Sequence, residues 1–169
     1  MAQVNRRPNS SDMTLSPASR IVIRAARRTD VAEIGRLFAI LGYPMEDEVL
    51  DRRFAAFESA GESALVAEGP EGTSLIGLAT LHATPVLHRA GGVGRVTALV
   101  VDPSARGRGI GRALMTAAEE WAVARDCVLM EVTSNRRRLD AHQFYERCGY
   151  TATSFRFARD LDPRPGAER

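Results

Sequence analysis

The chain reads as an α/β protein, a sheet with helices on both faces, and three observations predict it. Short apolar, β-branched runs alternate with helix-periodic segments from Ile21 onward. Gly94 to Arg125 passes from a strand through a glycine-rich turn into a helix. Ser63–Glu68 and Ser74–His82 flank Gly69-Pro70-Glu71-Gly72, a strong hairpin-turn signal.

The elements follow in order. Ile21 to Ala25 is a short strand. Thr29-Asp30 is expected to cap a helix whose apolar stripe is Val31, Ile34, Leu37, Phe38 and Leu41, stopped by Gly42. Glu46 to Ala60 is a second helix with Val49, Leu50, Phe54 and Phe57 inward, ended by Gly61. The hairpin follows, then a loop from Thr84-Pro85 to Gly94, then an apolar strand to Val101 that Asp102-Pro103 breaks. Ile110, Leu114, Ala117, Ala118, Trp121 and Arg125 recur at helical spacing. Val128 to Thr133 is a fifth strand, Ser134 to Arg138 a basic loop and Leu139 to Arg147 a helix. Tyr150 to Leu161, with Phe155 and Phe157 alternating against Arg156 and Arg159, reads as a final strand.

Size and charge narrow the function. A chain of 169 residues holds one domain with a real core. We place that domain at 21–161, with disordered tails expected over 1–20 and 162–169. A net charge of only +2 supplies no global basic field, which argues against nucleic acid as partner. No run reaches the length of a membrane span and no apolar leader opens the chain, so no membrane partner is expected. Cys127 and Cys148 lack metal-ligand spacing and read as a reduced intracellular pair, which points to the cytoplasm.

The turn Arg106-Gly107-Arg108-Gly109-Ile110-Gly111 carries the chemistry. Glycine permits positive φ and close approach of a ligand to the main chain. The free N–H groups opening the next helix, with its dipole, favour phosphate. Arg106, Arg108 and Arg112 add fixed positive charge in a forked geometry. Glu131 falls where the ribose-binding acid of a dinucleotide site would sit, yet no frame gives the GxGxxG fingerprint. The chain has no Lys, which excludes a Walker A loop.

Arg106-x-x-Gly109-x-Gly111 after Leu99-Val100-Val101-Asp102-Pro103 resembles the acetyl-CoA pyrophosphate loop of the GNAT family of N-acetyltransferases. Asp140-Ala141-His142-Gln143-Phe144-Tyr145-Glu146-Arg147-Cys148-Gly149-Tyr150 is similar to that family's second signature. The resemblance implies a mixed, mostly antiparallel sheet of six or seven strands, splayed between the fourth and fifth. It implies acetyl-CoA as cosubstrate. The pantetheine arm would lie along Leu99, Val100 and Val101, and the pyrophosphate on Arg106, Gly107, Arg108, Gly109, Ile110, Gly111 and Arg112. It implies Tyr145 as the acid that protonates the leaving thiolate. Asn135 would hold the pantetheine arm, with loop capping as its alternative role. The connection Leu41 to Glu48 would line the acceptor site.

Many relatives carry a Glu on the fourth strand, where this chain reads Val96-Thr97-Ala98-Leu99. The base is therefore open among His82, His88, Glu131, His142 and water. The C-terminal third, through Arg138, Asp140-Ala141-His142, Phe144-Tyr145, Gly149-Tyr150 and Phe155-Arg156-Phe157, resembles the aminoalkylphosphonate N-acetyltransferases. Arg136, Arg137, Arg138 and Arg156 are then candidates to pair with an anionic acceptor. The expected partner is a small-molecule amine, with a peptide or protein amine and a non-catalytic acyl-CoA sensor as alternatives. A homodimer stays open.

Overall fold

The computed structural model describes residues 21–72, 74–159 and 161. The tails expected at 1–20 and 162–169 lie outside the described residues. The elements are β1 (Val22–Ala25), α1 (Val31–Leu41), α2 (Asp47–Ser59), β2 (Ser63–Glu68), β3 (Leu75–Thr84), β4 (Gly92–Val101), α3 (Ile110–Val123), β5 (Cys127–Val132) and α4 (Leu139–Arg147). They form one sheet in the order β1-β2-β3-β4-β5, with β1 to β4 antiparallel and β5 parallel to β4.

Strand alternation sends neighbouring residues into two cores. Val66, Leu78 and Val100 face α1 and α2, where Ile34, Leu37, Leu50 and Phe54 cover them. Ala67, Ala79, Leu81 and Val96 face α3, under Ile110, Leu114, Met115 and Ala118. Each large side chain so buried contributes roughly 1.5–3 kcal/mol. Small residues let α3 sit close. A Cβ on Gly77 would fall 2.9 Å from Leu114 Cδ1, and one on Gly94 2.9 Å from Ala122 Cβ.

Four expectations need correcting. The sheet has five strands, not six or seven. Tyr150 ends the packed chain, its hydroxyl donating to Glu119 Oε1 at 3.0 Å. Residues 151–159 form no strand, and Phe155 and Phe157 are 78% and 93% exposed. Alternation describes side-chain direction along a segment, but a strand also needs a neighbour to bond, and the segment has none among the described residues. The loop after β3 is shorter than expected, because β3 runs to Thr84 and β4 begins at Gly92. Asp30 does not cap α1 through its side chain. Its carboxylate accepts from the Arg27 N–H at 2.7 Å and pairs with Arg24, which also holds Glu68. That pairing keeps the Asp30 carboxyl below the usual carboxylate range. Gly42 does end α1, at φ +99°.

Asp102 anchors the exit from β4. Its Oδ1 accepts from the Ser104 hydroxyl at 2.6 Å and N–H at 3.0 Å, and its Oδ2 from Arg36 at 2.6 Å. Arg36 also donates to the Leu75 carbonyl at 2.6 Å, so α1, β3 and the turn after β4 meet at one guanidinium. The Ser104 and Arg36 bonds hold the Asp102 carboxyl down to about 2. A carboxyl lowered in the folded state stabilises above its unfolded pKa, near 3.9, and loses that contribution as pH falls toward the folded value. Asp102→Ala should cost about 1 kcal/mol at neutral pH. That corresponds to a Tm lower by about 2–4 °C. In thermal melts, the gap between variant and wild type should close as pH falls from about 4 to 2.

Candidate active site

The site begins where β4 loses one neighbour. Pairing of β4 with β5 ends at Val96↔Val132, while pairing with β3 continues to Val101↔Gly77. Leu99, Val100 and Val101 therefore have a strand on one side only. A bulge marks the point of parting. Val96 stands opposite Leu81 and Ala98 opposite Thr80, leaving Thr97 as the extra residue. The Thr97 and Thr80 hydroxyls bond each other at 2.7 Å, with Thr80 buried.

Beyond β4, a short 3-10 turn (Pro103–Ala105) leads to the glycine-rich bend. Gly107 and Gly109 take φ +74° and +82°, values that L side chains rarely adopt. They turn the chain into α3. The backbone N–H groups of Gly107, Arg108, Gly109, Ile110, Gly111 and Arg112 have no acceptor among the described residues. They make a row of amide donors at the positive end of α3. Gly111 serves packing instead: a Cβ there would lie 3.1 Å from the Phe144 ring of α4.

The three arginines differ. Arg106 donates to the Val101 carbonyl at 3.3 Å. The Arg112 guanidinium is occupied by the Arg147 carbonyl at the end of α4, so only its N–H joins the row. Arg108 is exposed and has no protein partner among the described residues. Of the three guanidiniums it is the one without a protein acceptor among the described residues.

Phe144 and Tyr145 pack in the same cluster as Leu99, Val101 and Val132, so α4 borders the parted strands. Tyr145 is half-buried, with edge contacts to Phe144 at 5.3 Å and Tyr150 at 6.3 Å. Its hydroxyl has no hydrogen-bond partner among the described residues. Burial pushes that hydroxyl above the usual phenol value, against a partial opposing pull from Arg138. It is therefore protonated at neutral pH. Asn135 Oδ1 accepts from the Arg137 N–H at 2.9 Å, which shapes the loop before α4.

The structure separates the candidate bases. His88 lies in the exposed turn between β3 and β4. His142 Nε2 donates to the Asn135 carbonyl at 3.0 Å. Glu131 is held by Arg95 across the last rungs of β4 and β5. His82 stands opposite Arg95, so His82, Arg95 and Glu131 form one row across three strands. Val96, Met130 and Val132 face α3, so this row lies on the opposite face. His82 Nδ1 meets Glu62 Oε1, and Nε2 meets the Thr84 hydroxyl. The contacts of His82 with Glu62 and Thr84, and of Glu131 with Arg95, have no local signal in the sequence. Glu62 precedes His82 by 20 residues, and only the β2–β3 register joins them.

A parted strand pair beside an amide-lined helix start is the arrangement that the GNAT resemblance implies. The acetyltransferase (GNAT) family model matches residues 29–150, and the chain belongs to that family. An aminoalkylphosphonate N-acetyltransferase of Salmonella typhimurium is 41% identical over 87 residues, 52% of this chain and 56% of that protein. A glucosamine 6-phosphate N-acetyltransferase of Trypanosoma brucei brucei is 34% identical over 88 residues, 52% of this chain and 58% of that protein. The matched part thus spans a little over half the length of these curated relatives. The solved structure of a Trypanosoma brucei acetyltransferase superposes with a TM-score of 0.74 at 26% identity, over 84% of this chain and all of that one.

Gly109→Val tests the cradle. A Cβ there would meet no neighbour, but a β-branched side chain resists φ +82°, so the bend that sets out the amide row must shift. Calorimetry with CoA should then show at least tenfold weaker binding, while the far-UV spectrum stays that of the wild type.

Proposed function

We propose that the protein transfers an acetyl group from acetyl-CoA to the primary amine of a small molecule. The observation that carries this reading is the row of unpartnered amides from Gly107 to Arg112, set beside strands that part above Val96 and Val132. The amides and Arg108 fit the pyrophosphate. The free side of β4 at Leu99 to Val101 fits a peptide-like arm added as a strand would be. Acetyl-CoA, when bound, supplies the activated acetyl group.

The chain's own residues then have three tasks. The parted strands align the reactants, and the β4 N–H groups facing the gap supply donors for developing negative charge. Tyr145 keeps its proton at neutral pH because burial disfavours the phenolate, so its hydroxyl can donate to a departing thiolate. Asn135 orders the loop beside them through its Oδ1 bond. We read the acceptor as an amine that also carries a phosphonate or phosphate. The amines named for both curated relatives have that character. Arg136, Arg137 and Arg138 are exposed on the loop between β5 and α4, and they suit such an anion. A cytoplasmic setting accords with Cys127 and Cys148, both free. No helix among the described residues is long and apolar enough to cross a membrane.

Thiol release from acetyl-CoA, measured over aminoalkylphosphonates, glucosamine 6-phosphate, uncharged alkylamines and an N-terminal peptide, tests the reading. Phosphorylated or phosphonylated amines should be fastest. Binding of acetyl-CoA without release of thiol on any amine would reduce the protein to a sensor module. Tyr145→Phe should lower kcat tens-fold or more while leaving acetyl-CoA affinity unchanged, and an unchanged kcat would remove Tyr145 from the mechanism.

A further inference from the structure

We propose that two copies of the chain exchange their C-terminal segments, residues 151–159 of each adding a strand to the open edge of β5 in the other. The edge comes first. β5 is the last strand of the sheet and bonds β4 on one side alone. Strands that end a sheet are commonly blunted by proline, by several charges or by a covering element. β5 has no proline, its one charge is Glu131, and Val128 and Leu129 stand exposed.

The segment has the complementary need. Thr151 to Arg159 are all exposed, and they form neither helix, turn nor strand. Thr151, Thr153, Phe155 and Phe157 fall at every second position, and none of the nine residues is Gly or Pro. Threonine and phenylalanine favour strands. Phenyl rings in water and an unpaired ladder are the two halves of strand addition. The segment's own chain does not bring them together. Tyr150 is held by its N–H to the Tyr145 carbonyl and by its hydroxyl to Glu119 of α3. Beyond it no described residue is buried.

Side-chain pattern then selects the register. Met130 and Val132 face α3, so Leu129 and Glu131 face the other way. The charges on the segment are Arg156 and Arg159, both positive. Arg156 opposite Glu131 pairs unlike charges across the new seam. Arg95 engages Glu131 through Oε1 alone, which leaves Oε2 for Arg156. Because side chains alternate, the same register sets Phe155 and Phe157 beside Met130 and Val132, whichever way the added strand runs. A slip of one residue would set a phenyl ring against Glu131 instead. The row His82, Arg95, Glu131 thereby gains Arg156 of the second copy. Each copy has one edge and one segment, so a two-fold pair uses both and closes. Four phenyl rings, at roughly 150–250 Å² each, supply about half of the area that stable interfaces bury, and the two added strands cover more.

Sedimentation of the full chain over a micromolar concentration series tests the pairing. The wild type should run at twice the chain mass. Phe155→Asp with Phe157→Asp should run as a monomer with the wild-type far-UV spectrum, because both side chains are exposed in the single chain. Arg156→Glu should weaken association about tenfold. A third variant separates exchange from a segment that folds back on its own sheet. It carries Glu131→Cys and Arg156→Cys, with Cys127→Ser and Cys148→Ser. After oxidation it should run as a covalent dimer on a non-reducing gel. A wild type that stays monomeric, a dimer that the Phe155 and Phe157 changes leave intact, or a cysteine link closed within one chain would overturn the proposal. None of these readouts needs acetyl transfer, so each outcome leaves the functional reading untouched.

Discussion

Strand β4 has two neighbours that leave it at different points, and the rest of the structure follows from that mismatch. β3 stays paired as far as Val101, whereas β5 lets go after Val96. Backbone groups shut away without partners cost about 1–3 kcal/mol each. A gap of this kind is kept only where something else completes the bonding. The glycine-rich bend continues the same logic, because Gly107 to Arg112 offer a second run of donors where β4 hands over to α3. Asp102 and Arg36 hold that handover to α1 and β3. Ladder edge and helix start are thus one continuous surface of main-chain donors and acceptors.

The two faces of the sheet divide the chemistry. On one, Gly77 and Gly94 allow α3 to press close, and the packing is mainly apolar. On the other, α1 and α2 cover Leu78 and Val100, but the row His82, Arg95, Glu131 carries charge beyond them. The bulge at Thr97 stands between these charges and the parted strands.

Much of this was legible in the residues. β2 and α4 fall at the bounds their apolar patterns predict, and Gly42 ends α1 as its position suggested. The bend at Gly107 and Gly109 was legible because positive φ leaves few other choices. Position alone does not say how a glycine is used, and Gly111 spares Phe144 from a clash. The Glu62–His82 contact was hidden because pairing register, not local spacing, creates it. Tyr150–Leu161 misled for the opposite reason: its alternation is real, but no neighbouring strand accepts it.

The two outer strands of the sheet are finished differently. β1 is four residues long, and Arg24 ties it to Glu68 and Asp30. β5 has only parallel rungs to β4 on one flank, and Val128 and Leu129 stand open beside it. Amide hydrogens of β5 that look away from β4 have no strand to bond among the described residues. An open edge of the sheet and a wall of its cleft are therefore the same strand.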